Sequence, residues 1–325
     1  MGGGGFKKGK HELTRMNANN TKAPDLAVTV AGIRMKNPVM LASGTCGYGP
    51  EYADLIDLNA LGAIAVKGIL SIPWEGNPAP RLVETPGGLL NAIGLQNPGM
   101  EKFIAEYMPF LCRHKTPVIV NIWGRSMEEY GEVAARFDDV EGIAALELNI
   151  SCPNIKAGGI EFGTDPNIAG ELIRLVRKRT RLPLIPKLSP MLHSIAQFAR
   201  IAEESGADAI SLINSVPSMV IDIESRRPVL SNGVGGLTGP AIRPIAVRLV
   251  WQAAKAVKIP VIGMGGIACG RDALEFLIAG ARAVAVGTAT FLDPGTALRV
   301  VEEIEAYVKR QGHASVNEIV GTLQF

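Results

Sequence analysis

Little in this chain points to metal, disulfide or membrane chemistry. Its 325 residues hold four cysteines, Cys46, Cys112, Cys152 and Cys269, far apart and without the Cys-x-x-Cys spacing of a zinc or iron–sulfur site. Scattered thiols suit a reducing cytoplasm. An excess of charge of one sign is lacking too: 33 Lys and Arg stand against 31 Asp and Glu, which argues against nucleic acid or an anionic membrane as the main partner. No apolar run reaches the length of a membrane span, and the N-terminus lacks the apolar core of a signal peptide. Position 6 is Phe, so Met1-Gly2 does not open a myristoylation signal. Residues 1–24 are glycines, lysines and polar residues, too poor in apolar groups to offset chain entropy. They read as a mobile tail ahead of one domain over 25–325.

From Asp25 onward a short apolar run recurs, followed each time by a polar or glycine-rich turn and a longer segment with helical spacing. The runs are Pro38 to Ser43, Ala63 to Lys67, Val118 to Asn121, Ala145 to Ile150, Leu184 to Lys187, Ala209 to Ile213, Val261 to Met264 and Ala283 to Val286. Helices are expected at Glu101 to Leu111, Met127 to Phe137, Pro166 to Arg179, Ser194 to Ser205, Ile242 to Ala256, Arg271 to Ile278 and Thr296 to Val308, with a shorter one near Glu51 to Leu58. Eight strand–helix units in one block predict an α/β fold, a (β/α)8 TIM barrel, over its competitor, the doubly wound open sheet. Gly62, Gly206 and Gly280 each fall where a helix must end in left-handed backbone before the next strand.

In such a barrel the C-terminal strand ends share one mouth. Here they carry Ser43, Lys67, Asn121, Asn149 to Asn154, Lys187, Asn214-Ser215, Gly265-Gly266 and Gly287-Thr288, while long loops follow strands two, four and six, as expected for a substrate chamber. Gly263-Met264-Gly265-Gly266-Ile267-Ala268 matches a loose dinucleotide fingerprint, but the next strand ends without the acid that holds a ribose. Its glycines suit instead the phosphate site formed after strands seven and eight. Lys67 and Lys187 end apolar runs, where a solvated lysine is unexpected; an inward ammonium would stabilise the negative charge of a reduced flavin near N1. Pro186 is expected to fit only by lying at a strand end. Asn91, Asn121, Asn149, Asn154 and Asn214 each offer a donor and an acceptor, suited to the alternating N–H and C=O edge of a pyrimidinedione. Cys152 reads either as a small buried hydrophobe or as a thiolate base or nucleophile. None of His11, His114, His193 or His313 lies at a strand-end motif.

Several motifs carry a family resemblance. Ala42-Ser43-Gly44-Thr45, Gly76-Asn77-Pro78 through Pro80-Arg81, Glu84 to Gly88, Asn91 to Gly99, Asn149-Ile150-Ser151-Cys152-Pro153-Asn154, Lys187-Leu188-Ser189-Pro190 and Gly235 to Pro240 resemble the catalytic subunit of class 1 dihydroorotate dehydrogenases. A cysteine where class 2 enzymes carry serine points to class 1. Ile93 to Gly99 and Phe162 to Pro166 are closer to the NAD-linked subclass 1B than to the fumarate-linked 1A. The N-terminal tail and Cys46, where relatives often have an aromatic, depart from the pattern.

The resemblance implies FMN-dependent oxidation of dihydroorotate to orotate in pyrimidine synthesis, with Cys152 removing a proton from C5 as hydride leaves C6. It places substrate against Lys67, Asn91, Gly94, Leu95, Asn149, Asn154, Asn214 and Ser215. It places FMN against Ser43, Lys67, Asn121, Asn149, Lys187, Ile213, Gly239, Gly265, Gly266, Gly287 and Thr288. It also implies a homodimer associated with a partner subunit that carries FAD and a [2Fe–2S] cluster and passes electrons to NAD, since this chain has neither cluster cysteines nor a complete dinucleotide fingerprint. The competing readings are a fumarate-linked 1A enzyme, a dihydropyrimidine dehydrogenase-like flavin barrel, a tRNA dihydrouridine synthase, for which no basic face is visible, and a non-catalytic barrel that binds a phosphorylated ligand.

Overall fold

A computed structural model describes residues 23–150 and 165–325. Most of the expected tail, together with Cys152 and Asn154, lies outside the described residues. Eight parallel strands close into a barrel: β1 (Val39–Leu41), β2 (Ala63–Ile69), β3 (Val118–Ile122), β4 (Ile143–Asn149), β5 (Leu184–Leu188), β6 (Ile210–Leu212), β7 (Val261–Met264) and β8 (Ala283–Val286), with β8 returning to β1. Each coincides with one of the eight apolar runs. Such runs are buried on both faces, inward against each other and outward against helices, so they lack polar alternation.

Short polar side chains start the helices. Ser126 caps Met127–Asp138 by accepting from the Glu129 amide at 3.2 Å, and Asp165 caps Pro166–Arg177 by accepting from the Asn167 amide at 2.8 Å, with Pro166 in the first turn. Gly206 and Gly280 end their helices at φ of 96° and 118°. Gly62 has a different reason to be glycine: a Cβ there would stand 2.1 Å from the carbonyl oxygen of Asn37, just before β1. Pro186 also departs from expectation, because it occupies the middle of β5. Its missing N–H falls between the bonds that Leu184 O accepts from the Asp208 and Ala209 amides and the β5–β6 pairing that begins at Lys187. The helix over 100–111 contains a wider π turn at Phe103–Tyr107, immediately before Met108 and Pro109, the latter lacking an N–H to continue the regular ladder.

Besides a short strand pair, Ile221–Asp222 with Arg227–Pro228, two larger features escaped the strand–helix reading. An antiparallel hairpin, Val28–Val30 with Ile33–Met35, packs its apolar side into the main core before β1. A four-stranded antiparallel sheet, in the order Val216–Ser218, Gly235–Thr238, Gly88–Asn91 and Leu82–Thr85, is built from the loops after β2 and β6. It has its own small core of Leu90, Ala92 and Leu230. No helix among the described residues is long and apolar enough to cross a membrane.

Asp138 ties the end of one helix to the entry of β5. It accepts from Thr180 Oγ1 at 2.7 Å, from the Arg181 and Leu182 amides, and from Arg181 Nε at 2.9 Å. Burial pushes this carboxyl upward, but the bonds from Thr180 and Arg181 outweigh it and hold it at about 2. Folding is therefore helped above the ordinary aspartate value near pH 4, and that help is lost as pH falls toward 2. Asp138→Asn is expected to cost about 1–2 kcal/mol at pH 7 and to flatten the acid limb of stability between pH 4 and 2, as measured by urea titration at several pH values.

Candidate active site

The residue that organises the mouth is Glu147, in β4 and only 2% exposed. Sequence reasoning missed it because it lies inside an apolar run; a single carboxylate in an otherwise apolar barrel strand was the available signal. Its Oε2 accepts from Ser43 Oγ at 2.8 Å and Asn121 Nδ2 at 2.7 Å, and its Oε1 accepts from Ser211 Oγ at 2.8 Å. Lys187 Nζ lies 3.8 Å from Oε2 and donates to Ser43 Oγ at 3.1 Å. Side chains from β3, β4, β5 and β6 and from the residues after β1 thus meet at one carboxylate. A unit charge pair near 4 Å attracts by about 4 kcal/mol at the effective dielectric of a protein site, enough to matter against the desolvation of both groups.

One layer up, Asn149 pairs in register with Lys187 across β4 and β5. Its Oδ1 accepts from Asn214 Nδ2 at 3.3 Å, and its carbonyl accepts from Tyr130 Oη at 2.7 Å. The Ile213 amide donates to Met264 O and the Asn214 amide to Leu188 O, holding the chain after β6 between its neighbours. Lys67 is half-buried two residues before the end of β2, which runs past the expected end of its apolar run to Ile69; its Nζ lies 3.8 Å from the position a Cβ on Gly44 would take, so the ammonium sits over the turn after β1.

The four-stranded sheet carries the remaining polar groups. Asn91 Nδ2 donates to Gly236 O at 3.1 Å, and the Ser215 side chain packs against Gly236. Gly94 and Leu95 follow in consecutive left-handed conformations, φ 76° and 62°. The second is costly for a leucine and persists because Asn97 fixes the turn: its Nδ2 donates to Leu95 O at 2.9 Å, while its Oδ1 accepts from the Leu70 and Gly99 amides. The described contacts do not join this turn to the Glu147 cluster.

At the other side, Gly265 and Gly266 have φ of 121° and 79°. A Cβ on Gly266 would stand 2.8 Å from Arg243 Cβ and 2.9 Å from Gly239 O, which brings the Gly239 turn against the loop after β7. Ahead of the helix Gly270–Ala279 the amides of Ala268 and Cys269 are taken by Asp272 Oδ2, and the amide of Gly270 by Glu303 Oε2. The amides of Gly265, Gly266, Gly287 and Thr288 have no acceptor among the described residues. Half-buried orphan amides after β7 and β8, with two lysines deeper in the mouth, fit a phosphate-bearing flavin.

Among the described cysteines, none is set up as a base. Burial, followed by the nearby Glu51 carboxylate, pushes the Cys46 thiol up to about 12, and it donates to Ala65 O at 3.2 Å. Cys112 is exposed ahead of β3, at the opposite end of the barrel, and Cys269 caps a helix.

A closed parallel barrel whose strand ends gather lysines, carboxamides and bare-amide turns at one mouth has the architecture of a (β/α)8 enzyme. The family model described as dihydroorotate dehydrogenase matches residues 25–308, and the chain belongs to that family. It is 58% identical over 301 residues to the protein of Citrifermentans bemidjiense named "Dihydroorotate dehydrogenase B (NAD(+)), catalytic subunit", covering 93% of this chain and 99% of that one. Proteins of the same name from Geobacter sulfurreducens and Desulforudis audaxviator are 55% identical over 301 residues and 56% over 295, covering 93% and 91% of this chain and 99% and 96% of theirs.

Lys187→Met would leave the Glu147 carboxylate without its nearest described counter-charge. The expected cost is about 3–5 kcal/mol in urea titration of flavin-free protein, most of it recovered in Lys187→Met/Glu147→Met. Equal losses in the single and double variants would show that the pair does not act as a unit.

Proposed function

We infer that this chain oxidises (S)-dihydroorotate to orotate in pyrimidine synthesis, with FMN as its cofactor and a partner subunit that relays electrons to NAD. The observation that carries this reading is the meeting of Lys187, Asn121, Asn149 and Asn214 at one barrel mouth in a chain that matches NAD-linked relatives over nearly its whole length. The fumarate-linked, dihydropyrimidine and non-catalytic readings are not favoured by those relatives.

FMN, when bound, supplies the two-electron acceptor for the hydride that leaves C6. Gly239, Gly265, Gly266, Gly287 and Thr288 would hold its phosphate end, and Ser43, Lys67, Asn121, Asn149, Lys187 and Ile213 its ring. The chain's own residues then have three tasks. Asn91, Asn149, Asn154, Asn214 and Ser215 answer the donors and acceptors of the substrate ring and fix its orientation. Lys67 and the Gly94 and Leu95 amides take its carboxylate; the strained turn held by Asn97 keeps those amides aimed. Cys152, as thiolate, takes the C5 proton, so the C5=C6 double bond forms as hydride departs and charge balances.

The partner is read as an FAD and [2Fe–2S] subunit docked on a homodimer of this chain. Such a relay is needed because NAD would otherwise have to meet the reduced flavin in a barrel whose one dinucleotide-like turn lacks a ribose acid. A reducing cytoplasm suits the free cysteines.

The direct test is anaerobic. Purified chain should be yellow and should bleach on adding dihydroorotate, yet form NADH only slowly until an iron–sulfur flavoprotein is supplied. Protein without flavin would sink the reading, and rapid NADH formation by the chain alone would remove the partner. In stopped-flow reduction, Cys152→Ser should be slowed by a hundredfold or more at pH 7 and recover partly in alkali, because a serine hydroxyl is a far weaker acid than a thiol. An unchanged rate at pH 7 would return Cys152 to a packing role.

A further inference from the structure

We propose that Glu147 is a positioning residue for the cofactor side of the mouth: its carboxylate fixes which atoms of Asn121 and Ser43 face the site and tempers the positive charge of the two lysines. This rests on the flavin reading above. A carboxylate only accepts hydrogen bonds, so its neighbours must turn their donors toward it. Asn121 presents its NH2 group to Oε2 at 2.7 Å, which turns Oδ1 away, to lie 2.7 Å from where a Cβ on Gly68 would stand. Ser43 commits its proton to the same oxygen at 2.8 Å and keeps its lone pairs for Lys187 Nζ at 3.1 Å. Ser211, fully buried, holds Oε1 at 2.8 Å, so the carboxylate cannot rotate away from its partners. An apolar residue at 147 would free Asn121 to turn over and Ser43 to redirect its proton.

Charge adds a second effect. Lys67 and Lys187 bring two ammonium groups to the mouth, and Glu147 sets a carboxylate beside Lys187. Positive charge stabilises a reduced flavin. A carboxylate 3.8 Å from Lys187 therefore moderates that pull, and its removal should make the bound flavin easier to reduce.

The test is a redox titration of FMN-loaded protein. Glu147→Gln keeps the size and loses the charge, and should move the reduced-to-oxidised ratio at fixed potential about tenfold toward reduced, equivalent to ~30 mV for a two-electron couple. Glu147→Asp keeps the charge and should stay near the wild-type potential. A merely structural role would lower the melting temperature of both variants and move neither potential, and that outcome overturns the proposal. Should Glu147→Gln fail to fold with flavin, the wild type carries the test. Its reduced-minus-oxidised infrared difference spectrum with ¹³C-glutamate should show a shifted carboxylate stretch, and a spectrum with no glutamate band overturns the proposal. Wild-type protein that takes up no FMN would overturn the flavin reading itself, whereas FMN-loaded wild type beside an unmoved Glu147→Gln potential overturns only the role of Glu147.

Discussion

A buried carboxylate in a protein interior survives only when its lone pairs are answered and its charge is offset. Glu147 meets both demands with groups from around the barrel: hydroxyls from the Ser43 turn and from β6, a carboxamide from β3 and an ammonium from β5. Because these donors come from different strands, the carboxylate can be satisfied only when the barrel is closed in the observed register. The same closure sets Asn149 beside Lys187 and within reach of Asn214. The polar floor of the mouth is thus a consequence of the barrel's register, with its loops adding the roof.

Much of this was legible in the amino-acid sequence. The eight strands could be read because each is an apolar run of strand length between turn signals, a pattern forced by burial on both faces. Lys67, Lys187, Asn121 and Asn149 could be read because polar groups at the C-terminal ends of such runs have only the mouth to face. Glu147 could not, since a single acid among Ala145, Leu146 and Leu148 looks like an interruption until the donors from distant strands are seen. The roof sheet was equally hidden. Leu82–Thr85 and Gly88–Asn91 form a local hairpin, but the sheet is completed only where Gly88–Asn91 pairs with Gly235–Thr238, far away in sequence, and such pairing leaves no local periodicity to count. Glycine had two meanings that sequence cannot separate: Gly280 is demanded by left-handed backbone, Gly62 by a carbonyl oxygen pressed against it.

The mouth divides into two chemically distinct halves. Toward β3, β4, β5 and β6, charge and carboxamides converge on Glu147 and Asn149, which suits recognition of a ring with alternating donors and acceptors. Toward β7 and β8, side chains withdraw and the backbone itself is offered, because Gly266 lies so close to Arg243 and Gly239 that a side chain there would not fit. An anion on the second half would meet backbone dipoles, whereas the first half offers the full charge of Lys187.

The hydrogen bond from Asn91 to Gly236 spans 145 residues of chain. Contacts of that separation form late in folding, after the nearer pairings have paid their loop-closure entropy. The two halves of the roof leave the barrel after β2 and after β6, so neither can find the other until the strands between them are in place. During synthesis β1 to β6 therefore emerge before the roof can pair, and β7 and β8 only after it, so a chain stopped before residue 235 would hold six of its eight barrel strands and half of its roof.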